Sequence, residues 1–492
     1  MGLFYTLLAY NPAVSYFLYI GCTIFCTLNV QKLQNRALRH IYIGVHLLNI
    51  ARVQVKTRCW EVSMANRKYI RKTLGLMLAT VTLLSVTACG SLPKFGKSIQ
   101  LSVLAPEKLL KKGGWIQTME DAFSKENPGV TFKNKPIKQF DVPYMAPENK
   151  NAPQISADVF LFPSIKTDYL VKTGVIGELS KESEKQIKKQ NPDPLLNSVL
   201  KDGQYYGVPY TSNAWFMYYD KSKISENDAK SLNAILKKQK VAINLQDETL
   251  LSSFYLDSCI KFGHSKPGMD TVSSADFSEE CYPATQFLAD LVNHPNFINA
   301  VSDTGIKALR DGSAAAYVSG IWDEKEVKKI LGKNFAATTL PTIRTDLANN
   351  PAYPSATVEY QLKQSADSQA IGYNEESEHR KLAEKFALFL GSTESQKKAY
   401  ELQKIVPSDK SLKSFVAKDP AASAQMQTVE KASIKQPLSN SDLFMILYGF
   451  GRLEDSIYRK TLNRGNAYDI LDDMQRTITD RINDKLGYDS NN

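Results

Sequence analysis

Residue types that catalyse hydrolysis or bind metals are present, but not in the spacings that these chemistries need. The stretch Gly263–Gly268 (GHSKPG) is one residue too long for the Gly-x-Ser-x-Gly turn that exposes a nucleophilic serine. His264, His294 and His379 are isolated, with no metal-ligand spacing, and no Gly-x4-Gly-Lys-Ser/Thr phosphate loop occurs. We therefore expect no catalytic residues, metal or cofactor. One kind of enzyme, a lipid-anchored glycoside hydrolase, nevertheless stays open as an alternative. Its two catalytic carboxylates are close in space but have no fixed spacing in the sequence by which they could be recognised.

Cys89 lies at the boundary that the sequence indicates between an export signal and the exported chain. Thr87 and Ala88 are small enough for a peptidase to close on the backbone just before the cysteine. Upstream, a basic stretch (residues 64–72) leads into an apolar stretch from Leu74 to Val86, within the roughly 7 to 15 residues typical of an export signal. We predict that residues 64–88 are a signal peptide and that the exported chain begins at Cys89.

Residues Val86–Cys89 (VTAC) resemble the lipobox of bacterial lipoproteins. The resemblance implies that the Cys89 sulfur is diacylated and that residues 89–97 form the lipid anchor and a short linker. Two acyl chains hold a protein stably at a bilayer without spanning it. We therefore expect the protein at the outer face of the bacterial cytoplasmic membrane.

Residues 1–63 do not fit this organisation, and we predict that they are a non-native upstream extension. Their apolar stretch (residues 3–29) is long enough for a membrane helix but is interrupted by Asn11 and Pro12. Met64 begins the basic stretch, and a coding sequence for Trp60–Val62 can hold a ribosome-binding sequence just before it. Met64 is therefore the expected start of the protein.

The distribution of charge argues against a nucleic-acid partner. The whole chain has 61 basic and 51 acidic residues, a net charge of +10. Ten of the basic residues but only one acidic residue, Glu61, precede Cys89, so the exported part has a net charge of +1. A nearly neutral surface does not attract a polyanion, and we set that class of partner aside.

The cysteines reduce to one pair in the exported part. Three of the six lie before residue 64, and Cys89 is used for the anchor, which leaves Cys259 and Cys281. These two either form a disulfide, with a loop worth about 3 kcal/mol, or stay as two buried thiols. The sequence leaves both alternatives open.

Strand-like apolar stretches alternate with helical periodicity from Ser98 onward, which predicts an α/β protein with mostly parallel sheets. About 400 residues exceed what one hydrophobic core supports, so we expect two lobes. Ser164 and Asp323 are expected at helix starts, and residues 250–260 have helical periodicity. In such sheets ligands bind beyond the carboxyl ends of strands, where Phe162 and Trp322 lie.

From about Ser98 to Ile482 the chain resembles the extracellular solute-binding proteins of sugar importers, and most closely the maltose- and maltodextrin-binding proteins. The motifs that carry the resemblance follow one another in family order and spacing: Ala157–Phe160, Tyr169–Ile176, Tyr206–Pro209, Tyr218–Lys221, Gly312–Trp322, Thr339–Thr342 and Gln475–Thr479.

The resemblance implies the periplasmic-binding-protein-like fold, in which two α/β lobes are joined by hinge crossovers and close over a ligand cleft. Carried over, lobe 1 comprises residues 98–211 and 341–414, and lobe 2 comprises residues 212–340 and 415–488. The expected protein is a monomer that captures an oligosaccharide and delivers it to the membrane subunits of an ABC permease. Maltose or maltodextrin is the favoured ligand, and a different oligosaccharide is the alternative.

The resemblance also implies which side chains contact the sugar. Trp322 matches a tryptophan that stacks on a sugar ring, although a tryptophan in the core is the alternative. Phe162 stands where the family has a second stacking tryptophan, and Lys166 where it has an arginine with a planar fork of donors. Asn213 and Asp247 each replace a glutamate that bonds sugar hydroxyls. Thr249 stands where the family has an aromatic ring. The remaining candidates near the cleft are Tyr210, Trp115 and Trp215, for which a place in the core or at the rim is the alternative.

Overall fold

The structure is a computed structural model that describes residues 98–137, 155–264, 272–345, 358–434 and 446–490. Cys89, the predicted signal peptide and anchor, and the predicted extension at residues 1–63 lie outside the described residues. The strands are β1 (Ile99–Pro106), β2 (Val130–Ile137), β3 (Val159–Pro163), β4 (Leu200–Lys201), β5 (Gln204–Tyr205), β6 (Val208–Asn213), β7 (Phe216–Asp220), β8 (Val241–Ile243), β9 (Ile260–His264), β10 (Val272–Phe277), β11 (Phe297–Asn299), β12 (Ala316–Ser319), β13 (Phe335–Thr338), β14 (Thr342–Arg344), β15 (Glu359–Gln361), β16 (Gln364–Ser365), β17 (Asp367–Tyr373) and β18 (Ser433–Ile434).

Helices follow about half of these strands. They are α1 (Glu107–Leu110), α2 (Trp115–Glu126), α3 (Thr167–Lys172), α4 (Lys181–Gln190), α5 (Asp193–Asn197), α6 (Leu232–Leu236), α7 (Glu248–Leu251), α8 (Cys281–Val292), α9 (Thr304–Arg310), α10 (Glu324–Leu331), α11 (Arg380–Leu390), α12 (Thr393–Gln403), α13 (Lys413–Val416), α14 (Pro420–Lys431), α15 (Gly451–Tyr458) and α16 (Ala467–Ser490). None of the helices in this described part of the chain combines the length and apolarity needed to cross a bilayer.

Two five-stranded sheets organise the chain. The first has the order β2-β1-β3-β17-β6 and the second the order β11-β8-β12-β7-β13. Each sheet packs against its own helices around a separate hydrophobic core, one containing Phe123 and Phe386, the other containing Phe254 and Phe287. This arrangement is the expected two-lobed α/β fold.

The sheets are mixed, so the prediction of mostly parallel sheets is wrong. β1 pairs in parallel with β2 and β3, whereas β17 pairs antiparallel with both β3 and β6. The second sheet repeats this division, with β8 parallel to its neighbours and β7 antiparallel to its own. The antiparallel strands β7 and β17 each come directly after the chain has passed from one sheet to the other. Parallel neighbours need a long crossover connection, and a strand that enters from the other sheet is not bound by this requirement.

The chain passes from the first sheet to the second between β6 and β7, and returns between β13 and β17. We call residues 214–215 the first crossover, and the described residues 339–345 and 358–366 the second crossover. Ala214 of the first crossover and Ala366 of the second share one small apolar cluster with Leu195 and Val429.

The periodicity of residues 250–260 predicts a helix that the structure does not contain. α7 ends at Leu251, a short 3-10 turn follows, and Asp257 takes a positive φ of 63°, which a continuous helix excludes. Cys259 then bonds to Cys281 with their Cα atoms 5.2 Å apart, and the hairpin of β9 and β10 follows. The structure therefore contains the first of the two cysteine alternatives, the disulfide.

Candidate functional site

Trp322 is the most prominent candidate binding residue that the structure exposes. It lies in a 3-10 turn, Ile321–Asp323, immediately beyond the carboxyl end of β12, and its side chain is 53% exposed. A core tryptophan is therefore ruled out in this conformation. An indole face open to solvent can stack on the apolar C–H face of a sugar ring.

The turn that carries Trp322 is fixed by hydrogen bonds from the strands below it. The Tyr218 hydroxyl donates to the Gly320 carbonyl oxygen at 2.9 Å. Both Ser319 (2.6 Å) and Tyr317 (3.0 Å) donate to one carboxylate oxygen of Asp323. Asp323 was expected to cap α10 with its side chain, but no such cap bond forms, because strand residues take up the carboxylate. The turn is thus held in place independently of any ligand.

Gly320 gives the Trp322 ring its resting place. A Cβ atom built on Gly320 would lie 2.1 Å from Cζ3 and 2.2 Å from Cη2 of the indole. The ring therefore occupies space that any side chain at position 320 would fill.

Trp215 supports the exposed ring from the side. The two indoles, which we call the tryptophan pair, are nearly perpendicular at 88°, with centroids 5.1 Å apart. The Trp215 Nε1 donates to the Thr249 hydroxyl at 3.2 Å, and Thr249 in turn donates to Asp247. Asp247 also caps α7 by accepting from the Leu250 N–H at 3.1 Å. Trp322 and Asp247 therefore belong to one connected group.

A second polar group lies on the first sheet. Asn213 is exposed and donates through Nδ2 to Asp367 Oδ2 at 3.0 Å, while Ser164 donates to Asp367 Oδ1 at 2.8 Å. Lys166 lies in the same 3-10 turn as Ser164. Burial raises the pKa of Asp367 and lowers that of Lys166. Ser164 is thus engaged with Asp367 and does not cap α3, contrary to expectation.

Two of the predicted contact residues are buried. Phe162 is 0% exposed, its ring packs 5.7 Å from that of Phe160, and no face of it is open to a sugar. Tyr210 is 2% exposed and packs 5.0 Å from Trp115 in the first core, where burial raises its pKa. In this conformation both rings build the core rather than a binding surface, so the stacking role expected of Phe162 is not available to it.

Several residues that shape the site were not singled out from the sequence. Asp367 is an ordinary acid in the sequence, Gly320 is one glycine among 25, and the sequence marks Asp323 only as a helix start and not for the hydrogen bonds that it accepts. The signal for Gly320 was its place just before an exposed turn residue, while the partners of Asp367 are separated from it by at least 154 residues. Among the described residues no group of three His, Cys, Asp or Glu side chains is arranged to hold a metal ion.

Comparison with known proteins agrees with this architecture. The family model for bacterial extracellular solute-binding proteins matches residues 118–427. The galactooligosaccharide-binding protein of Bacillus subtilis (strain 168) is 26% identical, over 76% of this chain and 89% of its own length. A solved chain reported with acarbose is 29% identical, with a TM-score of 0.61, and the match covers 78% of this chain and 99% of that one.

More distant structures share the fold. The maltodextrin-binding protein of L. casei BL23, solved without ligand, is 21% identical with a TM-score of 0.64, covering 78% of this chain and 100% of that one. The matched family and these relatives are binding proteins rather than enzymes. The chain belongs to the bacterial extracellular solute-binding proteins.

Proposed function

We propose that this protein captures an oligosaccharide against Trp322 and delivers it to an ABC permease. The observation that carries the proposal is an indole 53% exposed and yet fixed on Gly320, Trp215 and a hydrogen-bonded turn. An exposed aromatic ring beside fixed polar side chains matches the two faces of a sugar, whose C–H groups stack and whose hydroxyls need donors and acceptors.

The polar contacts proposed for the sugar come from both sheets. Asp247 of the tryptophan-pair group supplies acceptors, Asn213 supplies an amide, and Lys166 supplies a charged donor. Phe162 and Tyr210 act in this proposal as core supports and not as contacts, because their rings are buried. The contact set is therefore Trp322, Asp247, Asn213 and Lys166.

We propose maltodextrin as the ligand, with galactooligosaccharide as the alternative ligand. Acarbose is found with the solved relative that is 29% identical, and galactooligosaccharide is the ligand named for the Bacillus subtilis relative. Both ligand types would present a sugar face to Trp322, and their hydroxyl geometry would distinguish them at Asp247, Asn213 and Lys166.

We propose that closure occurs between the lobes given above, 98–211 with 341–414 and 212–340 with 415–488. Two separate sheets and cores support a division into two lobes, but Ile343 and Leu362, from the segment carried over to lobe 1, pack in the core of the second sheet. A ligand that contacts both sheets favours the closed arrangement by its differential affinity for it. Small-angle scattering should show compaction when the ligand saturates the protein, and an unchanged radius would count against closure.

Membrane attachment through Cys89 is also a proposal. A protein held by two acyl chains would keep its site close to the permease. Labelled fatty acid should be incorporated into the wild type and not into a Cys89→Ser variant, which should appear in the medium. Incorporation into the variant would exclude Cys89 as the acceptor.

Calorimetric titration with maltose, maltotriose, maltotetraose, acarbose and galactooligosaccharides tests the binding proposal. We expect saturable binding to one of these series with no change in the sugar when the products are analysed. Cleavage of the sugar would show that the protein is a hydrolase and not a binding protein. If none of these sugars binds, an oligosaccharide ligand of these classes is rejected.

A further inference from the structure

We propose that Gln364 is a positioning residue for the sugar site and acts through Trp215. The inference rests on the proposed function, because it assigns a role to a residue outside the contact set of the sugar. Gln364 lies in β16, within the second crossover, and its side chain is 3% exposed. It does not belong to the four proposed contact residues.

The Gln364 amide holds the backbone of one residue of the first crossover at two points, on the peptide before it and on the peptide after it. Its Oε1 accepts from the Trp215 N–H at 2.9 Å, and its Nε2 donates to the Trp215 carbonyl oxygen at 3.2 Å. Trp215 lies between β6 and β7 and belongs to neither strand. The amide therefore provides the donor and the acceptor that a neighbouring strand would otherwise provide. Buried peptide groups are costly when they lose such partners.

Gln364 is itself anchored by backbone contacts that do not involve the first crossover. Its N–H donates to the Ala432 carbonyl oxygen at 2.9 Å, and β16 pairs in parallel with β18 through Gln364 and Ser433. The neighbouring Lys363 N–H donates to the Ser253 carbonyl oxygen at 3.4 Å. Gln364 is thus a fixed point on which the position of the Trp215 peptide depends.

Trp215 connects Gln364 to the exposed ring of Trp322. Gln364 fixes its peptide, Thr249 accepts from its Nε1, and its ring packs at 5.1 Å from the ring of Trp322. Without the amide, the Trp215 peptide is free to turn, and the indole must shift with it. Since Trp322 rests on Gly320 and on this indole, its orientation shifts as well.

The hydrogen bonds between Gln364 and Trp215 also connect the sugar site to the crossovers. On the first-sheet side of Ala214, Asn213 bonds to Asp367; on the second-sheet side, Trp215 bonds to Gln364. Ala214 and Ala366 lie between these two ties. A change in crossover geometry would therefore reach the tryptophan pair through Gln364, so occupancy of the site and crossover geometry are coupled.

The test compares Gln364→Leu with Gln396→Leu as a matched control. Gln396 is also buried (1% exposed), accepts from the Ser408 N–H at 2.8 Å and donates to the Gly391 carbonyl oxygen at 2.9 Å, but it contacts neither tryptophan. Gln364→Leu removes two side-chain hydrogen bonds, whereas Gln396→Leu removes four, because Gln396 Oε1 also accepts from the Ser408 hydroxyl and the Asp409 N–H, so the control is the more disruptive substitution. A purely structural role predicts that they lower the urea midpoint and leave the tryptophan pair unchanged.

The readout specific to positioning is the exciton signal of the tryptophan pair in circular dichroism, measured without sugar. A Trp322→Phe variant identifies that signal. We expect Gln364→Leu to reduce it and to weaken sugar binding about tenfold, the equivalent of one buried hydrogen bond. Gln364→Glu keeps an acceptor for the Trp215 N–H but loses the donor, so we expect an intermediate effect. If the leucine variant does not fold, the glutamate variant is used for the test instead.

A wild-type exciton signal in Gln364→Leu and in Gln364→Glu would overturn the inference. An equal loss of that signal in Gln396→Leu would do so too, since it would reflect general destabilisation. If the wild type binds none of the sugars, the proposed function fails while the exciton measurement still decides the role of Gln364.

Discussion

The indole of Trp215 stands at 88° to the indole of Trp322, with their centroids 5.1 Å apart. Edge-to-face pairs of this kind are worth about 0.5–1.5 kcal/mol beyond their burial. The exposed ring of Trp322 is therefore ordered before a ligand arrives, because its partner is fixed by Thr249 and Gln364. A preordered ring lowers the entropy that binding must offset.

Truncation of the exposed ring should weaken binding far more than it weakens folding. We expect Trp322→Ala to lower the sugar affinity at least about tenfold, with little change in the urea midpoint because the ring is half exposed. Tyr458→Ala is the control, since Tyr458 is also exposed (65%) and lies on α15. Calorimetric titration measures both variants. An affinity of the Trp322 variant within about threefold of the wild type would refute stacking.

The close approach of Gly320 to Trp322 makes a second, smaller substitution informative. Gly320 has a φ of −125°, which alanine adopts without strain, so Gly320→Ala should fold. Its Cβ would nevertheless lie 2.1 Å from the indole and must displace it. We expect about a tenfold loss of sugar affinity and a changed tryptophan emission spectrum.

Gly451→Ala provides the matched control for that substitution. A Cβ at Gly451 meets no other described atom within 4 Å, and the residue is helical in α15. This variant should bind sugar like the wild type and be equally or slightly more stable. Equal affinities for the two alanine variants would show that the ring does not need its place on Gly320.

What could be predicted from the sequence differs between the fold and the site. The alternation of strands and helices follows from local periodicity, as β1 shows by beginning at Ile99, next to Ser98, from which the alternation is predicted. Local patterns failed where a distant contact decided the structure, as at Cys259 and its partner Cys281. Phe162 looked like a binding ring because it ends a strand, but every residue of β3 from Val159 to Phe162 is buried.

The supporting contacts of the site were beyond sequence reasoning for the same reason. Gln364 and Trp215 are separated by 149 residues, and nothing in the sequence around either one indicates a hydrogen bond. Trp322 was recognisable because it follows a strand directly at a glycine-containing turn. Side chains that contact a ligand leave a local signal, whereas the residues that position them depend on the assembled fold.

The disulfide should contribute to stability but not to binding. Cys259 and Cys281 are 1% and 0% exposed and close a loop with a sequence separation of 22. Replacing both by alanine should lower the free energy of unfolding by about 3 kcal/mol, mainly because the unfolded chain gains freedom. Urea denaturation measures the loss, and sugar affinity should be unchanged. Peptide mapping of unreduced protein that finds these two cysteines as free thiols would exclude the bond.

Burial raises the pKa of the Glu120 carboxyl to about 7. The side chain is 5% exposed, Asn134 donates to its Oε2 at 3.0 Å, and its Oε1 has no hydrogen-bond partner among the described residues. The folded state thus keeps a proton that the unfolded state releases near the ordinary value of 4.5. The stabilisation from this proton is complete below pH 4.5 and is lost as the pH rises through about 7.

Glu120→Gln removes this titration and keeps the shape of the side chain. Because each unit of pKa shift corresponds to about 1.4 kcal/mol, the variant should exceed the wild type in unfolding free energy by on the order of 3 kcal/mol at about pH 8. Near pH 4 the two should be equally stable, since the wild-type carboxyl is then protonated in both states. Asp121→Asn removes a neighbouring negative charge that helps to raise the pKa of Glu120, so this variant should lower that pKa and reduce the pH dependence only in part. Urea denaturation across this pH range measures the unfolding free energy of each protein. If the unfolding free energies of wild type and Glu120→Gln change with pH in parallel, Glu120 is ionised in the folded protein at neutral pH.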